Sequence, residues 1–341
     1  RALRPDAQIV FAGTQDRLEA RAVPEAGYAL HPITAQGLQR RAVASNLLLP
    51  FRVAQGLVQS WRLVGAIEPD VAVGTGGYVA APVLMAAWLR GRPLLIQEQN
   101  AYAGLTNRVL ARLALRIHLA FPEAKDWVPA EHAVVSGNPT RQSLRDADPD
   151  AARAAFNVPE DGRVLLVMGG SLGSAAINGA IQRILDPLLA EGDVYVVWQT
   201  GTRYYDDLTE DLDEHPRLRV VEYIDQMGHA YAAADLAVCR AGALTCSELT
   251  VTGTPAVLVP SPNVTADHQT KNARSLERAG AAVWLDKADL DAHLETVLLD
   301  LLGNSDRRAR MAEAARDRAR PDAAETIARD VLALADRYRT N

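Results

Sequence analysis

"RVLLVMGGSLGSAAIN", residues 163–178, carries a strand, a glycine loop and the start of a helix in one short stretch. Val164 to Met168 are apolar without interruption, the pattern of a strand covered on both faces of a parallel sheet. Gly169 and Gly170 follow at once, and Ile177, Ile181, Ile184 and Leu188 then recur at helical spacing. A strand that runs through glycines into a helix N-terminus is the opening unit of a doubly wound α/β sheet. The free N–H groups at that terminus favour an anion such as a phosphate. The loop lacks the Lys of GxxxxGK[ST] and does not fit GxGxxG, which argues against a P-loop NTPase and a dinucleotide dehydrogenase. Within this stretch one alternative stays open: the glycines do no more than make a tight turn between strand and helix.

The same alternation continues outward in both directions. Upstream lie "VAVGTGG" (71–77), "PLLIQEQN" (93–100), "RIHLAF" (116–121) and "AVVSGNP" (133–139). Downstream lie "VYVVWQTG" (194–201), "LRVVEYI" (218–224), "LAVCRAG" (236–242) and "PAVLVPSP" (255–262). Apolar strands separated by helices predict two parallel sheets with helices on both faces. The polar stretch 141–162 divides the two series, so domains are expected over 1–141 and 142–319. The tail 320–341 is helical, with Ile327, Val331 and Leu334 on one apolar face. At the other end, "RALRPDAQIVFAGT" (1–14) has no initiator Met and reads as the tail of a helix followed by a strand ending at Gly13. That pattern predicts that one βα unit, about 25 to 30 residues, precedes it.

The chain has 341 residues, 48% of them hydrophobic and 23% charged, which fits two ordinary globular domains. Its net charge of −6 and the lack of an RNP or zinc-finger pattern argue against nucleic acid as a partner. The two cysteines, Cys239 and Cys246, have no CxxC or His-rich company and suggest a reducing cytoplasm. No run approaches 18 uncharged apolar residues, and no signal peptide is visible.

Residues 239–273, "CRAGALTCSELTVTGTPAVLVPSPNVTADHQTKNA", carry more chemistry. The pattern predicts a strand ending at Arg240, a short helix from Ala243 stopped at Gly253, and a new strand from Pro255. Glu248 falls in the early turns of that helix, at the C-terminal strand edge where open α/β sheets bind ligands. A carboxylate there can accept both hydroxyls of a ribose; its alternative is a solvated acid. His268 and Gln269 open another helix, where capping is the alternative role. Asp146 to Asp148 form a DxD-like triplet in the polar linker and read as solvated charges, so no metal site is assigned. His118 and His132 lie beside apolar strand residues and read as structural.

Together "GTGGYVAAP", "QEQNAYAGLTNR", "SGNPTR", "GGSLGS", "CRAGALTCSE" and "HQTKNA" resemble, in that order and over nearly the whole chain, the MurG family of bacterial cell-wall N-acetylglucosaminyltransferases. The resemblance implies a GT-B architecture, two Rossmann-like domains facing a cleft, with the final helix returning to the N-terminal domain. It implies inverting transfer of N-acetylglucosamine from UDP-GlcNAc to lipid I, without cofactor or metal, at the cytoplasmic face of the inner membrane. The domain over 1–141 would then face acceptor and membrane, and that over 142–319 would bind UDP-GlcNAc. Carried over by motif, Arg141 and Ser171 would hold the diphosphate, and Ile224 would meet the uracil through its backbone. Ala243, Leu244, Thr245, Cys246, Ser247 and Glu248 would frame the nucleoside. Gln269 and Asn100 would address the sugar, and Gly76, Gly77 and Tyr78 form a candidate acceptor loop.

The sequence departs from the family pattern at Gln97, where His is frequent, and at Leu172, where Gln is frequent. The family's proposed acceptor-activating His belongs to a first glycine loop not found in this sequence, so no general base is assigned and the chain as it stands is expected to turn over poorly. Alternatives are a nucleotide-sugar-binding fragment without catalysis, a related glycolipid glycosyltransferase, or a UDP-GlcNAc 2-epimerase. Finally, residues 36–62 carry Arg40, Arg41, Arg52 and Arg62 with no acid. From Leu47, a helical stripe through Phe51, Val58 and Trp61, with Pro50 in the first turn, suits an anionic membrane surface. A core-facing helix is the alternative.

Overall fold

A computed structural model describes residues 2–35, 49–262 and 264–340, and the side chains of Leu49, Pro50 and Thr265 are left aside. The chain divides into two compact units, Arg1–Ser136 with Ala324–Asn341, and Gly137–Ala323. The division comes at Gly137 rather than at the 141/142 boundary expected from composition. A contact explains this: Asn138 donates to the Ser247 hydroxyl at 3.0 Å, which fixes "GNP" (137–139) to the second unit.

In the first unit, β1 (Val10–Gly13), α1 (Glu19–Glu25) and β2 (Ala29–Pro32) come first, followed by α2 (Leu49–Ile67). Then come β3 (Ala72–Gly74), α3 (Gly77–Leu89), β4 (Leu94–Glu98), α4 (Leu105–Leu110), β5 (Arg116–Leu119) and β6 (Ala133–Val135). All pairings are parallel, in a β1–β2 pair and a β3–β4–β5–β6 sheet. Residues ahead of β1 form a turn, with Ala7 N donating to Arg4 O at 3.2 Å, and not the helix tail expected from sequence. Arg4 is drawn instead into a two-pronged ion pair with Asp336, both bonds 2.8 Å long.

The second unit runs α5 (Pro149–Ala155), β7 (Arg163–Met168), α6 (Ala175–Ala190), β8 (Val194–Gln199), α7 (Tyr205–Glu210), β9 (Leu218–Val221) and α8 (Met227–Ala233). It continues with β10 (Leu236–Cys239), α9 (Ala243–Thr252), β11 (Ala256–Leu258), α10 (His268–Arg278), β12 (Ala282–Trp284), α11 (Leu290–Gly303) and α12 (Ser305–Arg318). The sheet is parallel in the order β12-β11-β10-β7-β8-β9, so the strand order reverses between β7 and β10. Ile177, Ile181 and Leu188 of α6 pack with Trp198 and with Leu294, Leu298 and Leu301 of α11 as one apolar core. Burial of such side chains is worth about 1.5–3 kcal/mol each.

The last helix, α13 (Ala323–Thr340), belongs mainly to the first unit. Ile327 is buried and Val331 and Leu334 are half-buried, so the apolar stripe of the tail is the face that packs. Arg116 Nε donates to Asp330 Oδ2 at 2.6 Å, His118 Nε2 lies 3.2 Å from the same oxygen, and Arg339 reaches Asp70 at 2.6 Å.

Candidate functional site

The strand order of the second unit reverses between β7 and β10, and the C-terminal strand ends at such a reversal are the position where open α/β sheets take ligands. Three large apolar side chains are exposed among the described residues of this unit, Leu172, Tyr223 and Leu244. Each belongs to a segment leaving one of the strand ends: Leu172 follows β7, Tyr223 follows β9, and Leu244 opens α9 after β10. Apolar surface is thus left uncovered next to polar groups, which is the composition of a ligand site.

The glycine loop after β7 is built by backbone packing. A Cβ on Gly173 would lie 2.0 Å from Thr200 O, and one on Gly201 would lie 2.1 Å from Gly173 N. Gly173 also has φ of +77°, a conformation that L side chains rarely adopt. Ser174 caps α6 by accepting from Ile177 N at 3.2 Å, which leaves Ser171 exposed at the loop tip. The tight turn is therefore real, and it presents the Ser171 hydroxyl outward.

The end of β8 braces this loop, a function its strand-like sequence did not advertise. Gln199 Nε2 donates to Gly170 O at 3.1 Å, and Ile224 N donates to Gln199 Oε1 at 3.0 Å. Ile224 is 7% exposed and its N–H is engaged internally, so in this conformation that group is held by Gln199 rather than presented to a base. Trp198 Nε1 donates to Asn178 Oδ1 at 3.1 Å, and Asn178 Nδ2 to Thr200 O at 2.9 Å. The glycine loop and the Ile224 segment thus share one buried amide as a strut.

α9 carries the rest. It begins at Ala243 and stops at Gly253, whose φ of +71° supplies the left-handed C-cap. Its N-cap residue, Gly242, has no side-chain oxygen to offer the first-turn amides of Ala243, Leu244 and Thr245. Glu248, half-buried, accepts a hydrogen bond on Oε2 from the Tyr231 hydroxyl at 3.1 Å. Burial pushes its carboxyl above the usual carboxylate range, and the Tyr231 bond and the Arg141 guanidinium oppose that rise. Arg141 is itself exposed, close enough to act on Glu248 through its charge.

Two residues in this row do not face outward. Cys246 is 1% exposed, its thiol is pushed up to about 12 by burial, and its N–H donates to Gly242 O at 2.9 Å. Its side chain packs into the core. Ser247 donates to Ala243 O at 3.0 Å and accepts from Asn138 at 3.0 Å, so its hydroxyl joins Asn138 to α9. Arg240, absent from the sequence-based site, donates through Nη1 to Val259 O at 3.0 Å and Pro260 O at 2.8 Å. Gln269 Oε1 accepts from Ser261 N at 2.8 Å, which positions the start of α10 beside the segment leaving β11.

In the first unit, Asn100 is held by a buried carboxylate. Glu98, 2% exposed, accepts from Asn100 N at 3.0 Å, Asn100 Nδ2 at 3.3 Å, Gly104 N at 3.0 Å and Asn107 Nδ2 at 2.8 Å. Gln99 Nε2 donates to Thr75 O at 2.9 Å and to Gln97, tying this loop to Gly76, Gly77 and the exposed Tyr78 at the start of α3. Gln97 is itself buried. The remaining candidates read as structural. Asp148 caps α5 by accepting from Ala151 N at 2.9 Å, and Asp146 accepts from Gln142 at 3.0 Å. His118 is fully buried, bonded to Ser136 at 3.0 Å, with its pKa lowered by burial. Among the described residues no group of three His, Cys, Asp or Glu side chains could hold a metal ion.

On α2, Phe51 is 74% exposed, and Val58 and Trp61 are exposed with Arg52 and Arg62, so this stripe does not face the core. The helix packs through Gly56, Ser60 and Val64 instead, and the Arg90 guanidinium lies 4.0 Å over the Trp61 ring. Arg40, Arg41 and Leu47 fall outside the described residues. No helix of the described residues is long and apolar enough to cross a membrane.

Comparison with known proteins gives a consistent result. Residues 2–119 match the glycosyltransferase family 28 N-terminal domain, and residues 164–327 match the glycosyltransferase family 28 C-terminal domain. A UDP-N-acetylglucosamine–N-acetylmuramyl-(pentapeptide) pyrophosphoryl-undecaprenol N-acetylglucosamine transferase of Salinibacter ruber is 99% identical over 341 residues, all of this chain and 92% of that protein. The protein of the same name from Chlorobium phaeobacteroides is 42% identical over 97% of this chain and 92% of its own length. The crystal structure of Acinetobacter baumannii MurG superposes with a TM-score of 0.77 at 31% identity, covering 95% of this chain and 91% of that one.

Proposed function

The chain belongs to glycosyltransferase family 28, and we propose that it transfers N-acetylglucosamine from UDP-GlcNAc to the undecaprenyl-diphosphate-linked N-acetylmuramyl-pentapeptide, lipid I, giving lipid II and UDP in peptidoglycan synthesis. The names of its relatives support the substrates. The observation that carries the donor site is Glu248 beside the uncapped start of α9 at the strand-order reversal.

In this reading the Glu248 carboxylate accepts the ribose hydroxyls, and Leu244 and Tyr223 offer apolar surface near the nucleoside. The diphosphate is held by Ser171, Arg141 and the first-turn amides of α9. As the acceptor hydroxyl attacks the anomeric carbon and gives up its proton to solvent water, the bond from that carbon to the diphosphate oxygen breaks and its electron pair leaves with UDP. Donors fixed in advance around that oxygen lower the barrier, because they stabilise charge that develops only as the bond breaks. Gln269 and Asn100 would address the sugar, with Asn100 oriented by Glu98.

The acceptor's lipid requires a membrane surface, and the exposed stripe of α2 with Arg52 and Arg62 supplies apolar and cationic groups for an anionic leaflet. The protein would then sit peripherally at the cytoplasmic face of the inner membrane.

Calorimetry tests the donor site. The chain is expected to bind UDP, and Glu248→Ala should weaken that binding by about 1.5–3 kcal/mol, the range for hydrogen bonds to a charged group. A folded sample that ignores UDP, or an alanine variant that binds as tightly as the parent, rules the assignment out.

A further inference from the structure

We propose that Tyr231 is a positioning residue for the donor site, whose hydroxyl holds the Glu248 carboxylate turned toward the ribose. This rests on the assignment of Glu248 to the ribose made above. Tyr231 lies on α8 and is 3% exposed, so its polar tip has no water to turn to; its hydroxyl donates to Glu248 Oε2 at 3.1 Å. A phenol has one hydrogen to give. It engages a single carboxylate oxygen, which fixes the rotation of the group and leaves the remaining lone pairs, Oε1 above all, for the ribose hydroxyls.

The surroundings make that one bond matter. Burial raises the Glu248 pKa, against which Tyr231 and Arg141 are the opposing influences. Tyr231 faces Glu248 from α8, and Arg141 from the segment ahead of the short turn Gln142–Leu144. Cys239 at the end of β10 and Cys246 on α9 itself are the neighbouring thiols, both raised by burial and therefore uncharged near neutrality. α10 presents the neutral Asn272, whose Nδ2 donates to Ala241 O at 3.1 Å. From α12, Arg316 lies beside Gly253, at the opposite end of α9. Burial and the nearby carboxylate hold the Tyr231 phenol well above its ordinary value, so it remains a donor throughout the useful pH range.

The sign follows from the carboxyl. Its ionised form accepts two hydroxyls, so the ribose contribution is present above the Glu248 pKa and lost below it. Removing the Tyr231 hydroxyl favours the neutral carboxyl and moves that loss to higher pH.

The experiment measures dissociation constants of UDP and 2′-deoxy-UDP for the 341-residue chain between about pH 4 and 8, a span that starts at the ordinary carboxylate range and runs upward from it. The ratio of the two constants reads the ribose contact, because titration of the phosphates cancels. In the parent the preference for UDP should decline toward acid. In Tyr231→Phe it should fall about three- to tenfold near neutrality, with its midpoint at higher pH. Both ligands sample the same folded population, so a modest loss of stability leaves the ratio intact. If Tyr231 matters only for packing, Phe keeps the ring, and ratio and midpoint match the parent; that result overturns the proposal. Glu248→Gln separates the two claims. If it keeps the parental ratio, the ribose assignment fails and this proposal with it; if it abolishes the pH dependence while Tyr231→Phe changes nothing, only the role of Tyr231 fails.

Discussion

At the scale of single residues, the site rests on groups that a motif does not announce. Gln199 looks like the last residue of a strand, yet it satisfies Gly170 O and Ile224 N at once. Replacing it by Leu would leave the Ile224 N–H unpaired in the interior and cut Gly170 O loose from β8, with Gly173 N as the remaining donor to that carbonyl. Gln199→Leu should therefore cost about 1–3 kcal/mol of stability and also weaken UDP, since both braced segments lie at the C-terminal strand ends. Denaturant melts and calorimetry check this together, and parental values in both would show that the strut is idle. Glu248 was legible because a carboxylate early in a helix after a strand end is conspicuous. The burial of Cys246 follows from spacing: Cys246, Leu249 and Thr250 share the three- and four-residue spacing of a helix's inner face, whereas Leu244 and Glu248 share the outer one.

Elements were more legible than their edges. The glycine loop, the span of α9 and the start of α10 follow from glycine placement and apolar periodicity. β2 was not read as a strand because His31 and Pro32 interrupt its apolar residues, and β12 was not read either. The stripe of α2 was legible as a stripe, though sequence left open which way it points. Its exposure sets up a test: the double variant Phe51→Ser/Trp61→Ser should lose binding to anionic vesicles while keeping UDP affinity. In the parent, vesicle binding should grow with anionic lipid and weaken with salt, because the arginine charges are screened. Unchanged vesicle binding by a folded double variant would move the membrane contact elsewhere.

For the whole molecule, two parallel α/β units were foreseeable from two series of apolar strands, but the bonds that recruit α13 to the first unit join residues too distant in sequence to be read from any pattern. One of them is titratable. His118 is buried, and burial lowers its pKa below the ordinary 6.5 despite the pull of Asp330. The native state then binds fewer protons at this site than the unfolded chain, so its contribution to stability is full above about pH 6.5 and declines as the pH falls toward the lowered value. Unfolding free energy should drop over that window in the parent, and the drop should shrink in His118→Asn. An equal slope in both proteins would place the acid sensitivity on other groups.

The return of α13 also sets a timetable for synthesis. Arg4 meets Asp336 and Asp70 meets Arg339 across separations of 332 and 269 residues, whereas the second unit draws its contacts from the continuous run Gly137–Ala323. Loop closure over such distances delays the first unit, because the entropy of bringing the ends together is lost before the contacts reward it. As the chain leaves the ribosome, the unit made second has all its parts before the unit made first does. The earlier-made half must wait with the α13 seat uncovered, and in that interval it is the half most dependent on chaperones.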